Sequence, residues 1–135
     1  MGGIPSGKKK KKGAKKDFIS WFEIPALDFQ QAVSFYNHIF DIDMETSVNE
    51  DSATAYFPVT NGVGGAITSG FSNETSSTGP LLYLNGGEDL NNVLNKVEAA
   101  GGRIIMNKTL ISRDAGYFAV FIDSQGNKLA LYSEN

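Results

Sequence analysis

The chain has 135 residues, of which 41% are apolar, and this length and composition predict one globular domain with a single core. It contains no cysteine, which excludes disulfides, thiol nucleophiles and iron–sulfur ligation and favours a cytoplasmic location. The net charge of −3 is unevenly distributed: from Asp17 onward five basic residues oppose fifteen acidic ones, a net charge of −10, so we expect no nucleic-acid partner for the folded body.

The first sixteen residues form a Lys-rich tail. Seven of the twelve basic residues lie between Lys8 and Lys16, with almost nothing among them to bury. Blocks of like charge are commonly disordered, so we interpret residues 1–16 as a disordered, solvated tail; the alternative is a docking arm for polyanions or for this protein's own acidic face. The tail lacks the apolar core of a secretory signal, and no run of the sequence is apolar over a membrane-spanning length, so we expect no membrane partner.

Residues 17–70 are predicted to form a βαβββ module. Asp28 follows the first strand and is well placed to cap a helix, whose apolar positions Phe29, Val33, Tyr36 and Phe40 share one face. The polar residues 70–79 are the expected linker to the second half. The strands are expected at residues 18–26, 44–49, 54–60 and 66–69.

Residues 80–135 repeat the same plan. A strand leads into a helix that begins at Glu88 and Asp89 and is stopped by Gly101-Gly102. The turn Asp123-Ser-Gln-Gly-Asn127 precedes the last strand. Such a repeat indicates one supersecondary unit used twice. The strands are expected at residues 81–85, 103–111, 117–122 and 128–133.

Four segments carry a family resemblance: Trp21 to Asp28, Ala32 to Tyr36, Gly101-Gly102 and Asp123 to Asn127. In order and spacing they resemble the vicinal oxygen chelate superfamily, the group of glyoxalases, bleomycin-resistance proteins and extradiol dioxygenases. The resemblance implies an α+β fold in which two βαβββ modules form a cup-shaped, partly open mixed β-sheet barrel with the helices outside. It also implies a homodimer, and a cup that holds a divalent metal and a small ligand.

The resemblance places the family's metal ligands at Trp21, near Ala66, at Leu81 or Leu82, and at Ala130. All of these residues are apolar. Divalent transition metals need imidazole, thiolate or carboxylate donors, so we expect no metal cofactor. Glyoxalase I activity uses the metal to polarise the substrate, so the missing donors argue against it.

Alternation along the strands predicts which side chains line the cup. The side chains predicted to line the cup, most of them aromatic, would suit a small-molecule site, although aromatic side chains on a sheet also fill cores. Glu23 would be buried among rings, where burial disfavours a charged carboxylate and suits it to acid–base catalysis; alternatively it bonds to backbone donors or is exposed at the sheet edge. The predicted lining comprises Trp21, Glu23, Tyr83, Asn85 and Tyr132, with Tyr56, Phe118 and Phe121 as neighbours whose strand register is open.

Two functions of different class follow. The first is a metal-independent, non-catalytic module resembling bleomycin-resistance proteins, in which a homodimer sequesters a small molecule between aromatic walls. The second is an enzyme resembling predicted lactoylglutathione lyase relatives, a lyase, isomerase or hydrolase with Glu23 as its acid–base group. A third possibility is a cup filled by its own side chains in a protein that acts only as an interaction partner. Whether the modules pair within a chain or swap between chains stays open.

Overall fold

The structure, a computed structural model, describes residues 12–70 and 74–135. Residues 12–20 are exposed and have no regular secondary structure, so the first strand begins later than the predicted residue 18. The tail prediction for residues 1–11 and the linker prediction for residues 71–73 lie outside the described residues.

The chain forms the predicted βαβββ unit twice. In the first module the elements are β1 (Trp21–Pro25), α1 (Phe29–Phe40), β2 (Glu45–Val48), β3 (Ala53–Tyr56) and β4 (Gly64–Ser69). In the second module they are β5 (Tyr83–Asn85), α2 (Asn91–Leu94), β6 (Arg103–Ser112), β7 (Gly116–Ile122) and β8 (Lys128–Ser133).

Each module contributes one mixed four-stranded sheet. The strand orders are β1-β4-β3-β2 and β5-β8-β7-β6, with β1 parallel to β4, β5 parallel to β8, and the other pairs antiparallel. In both sheets the first strand of the module lies at the edge beside the last. The predicted α+β fold, with open sheets rather than a closed barrel, is confirmed.

Helix α1 begins at its predicted cap. The Asp28 carboxylate accepts a hydrogen bond from the backbone N–H of Gln31 at 3.1 Å, which satisfies a free donor of the first turn. At the other end Asp41 adopts a left-handed conformation with φ of 53°, and its N–H donates to the Asn37 carbonyl. No helix in the described ranges is long and apolar enough to cross a membrane. The buried face consists of Ala32, Val33, Phe35, Tyr36 and Ile39.

Helix α2 is much shorter than the sequence predicts. Its apolar residues are buried as expected, but α-helical geometry is confined to Asn91–Leu94. Several of the backbone hydrogen bonds that follow span three residues rather than four, as in a 3-10 helix. Asparagine side chains compete for backbone groups and weaken helices, and residues 91, 92 and 95 are all asparagine.

An ion pair fixes the chain just before α2. The Asp89 carboxylate accepts hydrogen bonds from the backbone N–H of Asn91 at 2.9 Å and from Lys108 Nζ at 3.0 Å. The backbone bond, and then the lysine, lower the pKa of Asp89. Lys108 Nζ also lies 4.6 Å from the centre of the Tyr117 ring, so one cation connects β6, β7 and the start of α2.

The two modules share one core. The Phe35 ring on α1 of the first module lies 6.2 Å from the Phe121 ring on β7 of the second. The inner faces of both sheets supply further members, among them Ile24, Ile67, Leu129 and Leu131. Because alternate strand residues point to opposite sides, the other face of each sheet is open. We call these surfaces the first and the second open face.

The β7–β8 turn joins the modules through hydrogen bonds. The Gln125 side-chain oxygen accepts from the backbone N–H groups of Leu27 and Asp28 at 2.9 and 2.7 Å. Asn127 Nδ2 donates to the Pro25 carbonyl at 2.8 Å. The turn therefore holds the connection between β1 and α1, and with it one end of β1, against the second module.

Buried Asp123 organises this turn. Its carboxylate accepts from the backbone N–H groups of Gln125 and Asn127 at 2.8 and 2.9 Å, and from Asn127 Nδ2 at 3.0 Å. The Tyr36 hydroxyl on α1 donates to it at 2.8 Å. Burial, then the charge of Asp123 and the hydrogen bond to it, raise the pKa of Tyr36 well above its ordinary value.

Candidate functional site

The first open face carries an aromatic pair beside a carboxylate. Directly opposite residues form the row Glu23–Ala66–Tyr56–Glu45 across β1, β4, β3 and β2, and opposite residues share a face. Trp21, two positions before Glu23, lies on the same face, and its ring centre is 6.3 Å from that of Tyr56. Trp21 Nε1 donates to Glu23 Oε2 at 3.3 Å. The predicted neighbours Trp21, Glu23 and Tyr56 are thus brought together.

The second open face carries its own aromatic group. Tyr83 and Phe118 are in ring contact at 6.4 Å, and Tyr132 lies directly opposite Phe118. The Tyr132 hydroxyl donates to the Ala115 carbonyl at 2.5 Å, which orients its ring. Asn85 lies opposite Tyr132 on the edge strand. Four of the predicted lining residues therefore share this surface.

Phe121 is the one predicted lining residue that lies on the wrong side of its sheet. It lies opposite Leu129, which packs in the core, and it is fully buried against α1. Phe118 and Val120 occupy the open-face positions of β7 instead. Phe121 is therefore a core residue, and the prediction that it lines the ligand site is corrected.

Glu23 is exposed, so the burial that the catalytic hypothesis assumed is not found within a single chain. Its side chain lies at the edge of the sheet, because β1 pairs only with β4. This matches the alternative interpretation of Glu23 as an edge residue. Its indole hydrogen bond nevertheless orients the carboxylate beside the aromatic pair.

A groove passes next to this carboxylate. It encloses about 430 Å³ between β1 and the turn that holds it, with Trp21 and Glu23 on one side and Pro80 and Asn127 on the other. A volume of this size suits a small molecule. The groove and the first open face therefore share the indole ring of Trp21 and the carboxylate of Glu23.

Sequence reasoning missed two residues of the open faces. Glu45 completes the row that contains Glu23. Met106 lies opposite Val120 on β6, and it is 42% exposed. Three register shifts along β6 break its alternation, so no simple sequence signal identifies Met106.

The family comparison matches almost the whole folded region. The model of the Glyoxalase/Bleomycin resistance protein/Dioxygenase superfamily matches residues 18–131. The chain belongs to this superfamily. No curated protein is similar enough in sequence to match it.

Solved structures with this superfamily's fold resemble the chain at low sequence identity. TnmS3, an antibiotic binding protein from Streptomyces sp. CB03234, is 17% identical with a TM-score of 0.66, and the match covers 88% of this chain and 97% of TnmS3. A mutant of FosX, a fosfomycin resistance protein from Listeria monocytogenes, is 13% identical with a TM-score of 0.64, covering 90% and 95%.

Glyoxalase I from Zea mays is 13% identical with a TM-score of 0.64. The match covers 84% of this chain but only 43% of the maize protein, so the chain spans less than half of that enzyme. At these identities the similarities establish the superfamily's fold.

The pairing of β5 distinguishes the two leucines at the third metal-ligand position that the family resemblance implies. Tyr83 lies opposite Ala130 on the second open face. Because side chains alternate, Leu81 belongs to that face, whereas Leu82 packs against the core. Leu81 is therefore the counterpart of Trp21 in the first module.

The side chains at the four ligand positions do not fit a divalent metal. They are Trp21, Ala66, Leu81 and Ala130, and none offers imidazole, thiolate or carboxylate. Within residues 12–70 and 74–135, no three His, Cys, Asp or Glu side chains are grouped so that they could hold a metal ion.

Proposed function

We propose that this superfamily member binds a small molecule against the aromatic residues of its open faces, without the metal that the family resemblance implies. The observation that carries the proposal is the Trp21–Tyr56 pair with its oriented carboxylate, on rigid strands beside a groove of suitable size. Trp21 and Tyr56 remain 46% and 43% exposed, so their rings are available to a ligand. TnmS3, described as an antibiotic binding protein, supports a binding role for this fold.

The proposed binding form is a homodimer. The first open face carries Glu23 and Glu45, whereas Arg103 and Lys128 lie on the second, at positions fixed by the pairing of β6, β7 and β8. Opposite charges favour contact between the first face of one copy and the second face of another. Such contact would enclose a ligand between aromatic walls. The cytoplasmic location expected from the sequence remains a prediction.

Trp21 fluorescence tests the binding proposal, because Trp21 is the single tryptophan of the chain. We expect its emission to change on titration with a ligand from a panel of small aromatic and amphiphilic compounds. Tyr56→Ala should weaken that ligand by about threefold to tenfold, the range expected for loss of an aromatic contact. His38→Ala, on the exposed side of α1, is the matched control and should bind like the wild type. No response of Trp21 to any compound of a broad panel would refute the proposal.

The alternative is a lyase, isomerase or hydrolase that uses Glu23 as its acid–base group. The observation in its favour is the indole hydrogen bond, which aims this carboxylate at the position where a ligand would contact Trp21. Under this alternative Glu23→Gln abolishes turnover and leaves ligand binding and folding intact. Turnover that survives the substitution would exclude Glu23 from catalysis.

A further inference from the structure

A second cleft lies on the side of the sheets that faces the helices, between the first module and β5. It encloses about 730 Å³, within the range of small-molecule sites. Tyr83 and Asn85 of the second open face reach its rim, but its deeper wall consists of residues that pack towards the core. These wall residues are Phe22, Phe40, Ile42, Phe57, Leu82 and Leu84.

The wall of this cleft is free of charge. Among the described residues, no acidic or basic side chain lines it, although the chain from Asp17 onward carries a net charge of −10. Asp41 and Asp43 flank Ile42 but are exposed to solvent outside the lining. Two other clefts of the described residues have net negative linings: the groove beside the first open face, with Glu23 and Glu74 beside Lys128, and a cleft at the end of β5 and β8, with Glu88 and Glu134. A negatively charged ligand is therefore repelled less here than in either of them.

Positive charge lies close to one end of the cleft. Ile19 lines it, and Lys16 precedes Ile19 by three residues, so their Cα atoms are at most about 10 Å apart. Lys12, Lys15 and Lys16 are exposed and outnumber Asp17, the acidic residue among them. The sequence adds four more lysines immediately before them.

We infer that this cleft binds an anionic amphiphile, a molecule with a long apolar chain and a negatively charged head group. The apolar chain occupies the uncharged wall, where each buried methylene raises affinity about fourfold. The head group lies beyond Ile19, where the lysine ammonium groups attract it. This cleft adjoins the groove beside the first open face, with which it shares Ile19, Phe22 and Leu82, but it requires neither the proposed ligand of the open faces nor a second copy of the chain.

The probe is 11-(dansylamino)undecanoic acid, with its uncharged methyl ester as the matched ligand. Dansyl emission reports transfer into an apolar site, and we expect the acid to bind about tenfold more tightly than the ester. Neutralising the lysines with Lys12→Gln, Lys15→Gln and Lys16→Gln together should weaken the acid about tenfold and leave the ester unchanged, since each exposed pair contributes modestly. Val59→Asp, at an exposed residue that lines this cleft but not the first groove, should weaken both ligands.

The control replaces three basic residues outside the cleft lining, with Lys96→Gln, Lys108→Gln and Arg113→Gln together, and should leave both affinities unchanged. Equal affinity for acid and ester, or an equal effect of the control triple, would overturn the role of the lysines and with it the inference. Weakening by Tyr56→Ala but not by Val59→Asp would assign the probe to the first open face and would also refute this site. If the affinity for the probe decreases as the protein self-associates, a second copy of the chain covers the cleft, and the inference is refuted.

A second arm identifies the source of the amphiphile. Sedimentation with phosphatidylcholine vesicles is compared with and without one-fifth phosphatidylserine. Binding to the anionic vesicles that is lost in the triple-lysine variant indicates that the amphiphile is a lipid within a bilayer. The sequence alone predicted no membrane partner. Probe binding without vesicle binding indicates a free amphiphile. Both results support the anionic amphiphile, and absence of both would refute it.

Discussion

The hydrogen bond between Tyr36 and Asp123 links α1 of the first module to the turn of the second, and Tyr36→Phe removes it with little change in shape. The two oxygens are 2.8 Å apart and both residues are buried. A hydrogen bond to a charged group contributes about 1.5–3 kcal/mol. Asp123 keeps three other donors, so we expect the free energy of unfolding to fall by about 2 kcal/mol at pH 7. For a domain of this size that corresponds to a Tm about 8 °C lower.

The same bond predicts how the difference between variant and wild type changes with pH. The pKa of Tyr36 is raised in the folded state, so its stabilising contribution is complete below the unfolded pKa of about 10 and is lost as the pH rises above that value. Above pH 10 the free energy of unfolding of the wild type then decreases by about 1.4 kcal/mol per pH unit, and that of the variant does not decrease for this reason. A difference of about 2 kcal/mol at pH 7 should shrink to about 0.6 kcal/mol at pH 11.

Urea unfolding followed by circular dichroism, at several pH values from neutral to about 11, measures both effects. Tyr56→Phe, on the exposed first open face, is the matched control and should change stability by less than about 0.5 kcal/mol. A Tyr36→Phe loss no larger than that of the control would refute the energetic argument. A difference that stays constant above pH 10 would refute the argument from the raised pKa.

Three further substitutions test the packing and the polar contacts. Asn127→Ala should lower the free energy of unfolding by about 2–3 kcal/mol in chemical denaturation, because the part-buried Pro25 carbonyl and the Asp123 carboxylate lose a donor; an unchanged midpoint would contradict this. Gly65→Ala forces a Cβ against the Phe22 ring and should cost about 1–3 kcal/mol; a thermal melt like that of the wild type would show instead that the Phe22 ring moves aside without loss of packing. The backbone N–H of Asn91 and then Lys108 lower the pKa of Asp89, so the stabilising contribution of this carboxylate is present above its ordinary pKa and is lost on acidification. Asp89→Asn should therefore flatten the fall in stability between about pH 5 and pH 2. An acid unfolding curve like that of the wild type would contradict this.

Both modules and most element positions could be predicted from the sequence, because burial imposes a period of two on strands and of 3.6 on helices. The first helix illustrates this, with its cap at Asp28 and its buried stripe. The second helix shows the limit of the same reasoning. Leu90 and Val97 keep the helical spacing and are buried, yet asparagines between them shorten the regular segment.

The residues of the candidate site could be predicted only where the register of the paired strands could be predicted. Trp21 and Glu23 follow from alternation along a single strand, whereas Phe121 depends on which residue of β8 it lies opposite. A shift by one residue moves every side chain to the other face. The turn that begins at Asp123 was recognised, but its role was not, because Tyr36, its partner across the modules, is 87 residues away in the sequence.

Neither repeat contains a complete core. Phe35 of the first half packs against Phe121 of the second, and the Tyr36 hydroxyl would lose its acceptor without Asp123 and its turn. Cut within residues 74–79, the protein would yield two fragments of similar architecture, each exposing aromatic residues that the other covers. We expect the separated fragments to remain unfolded and to reassemble when mixed, as two parts of a single folding unit.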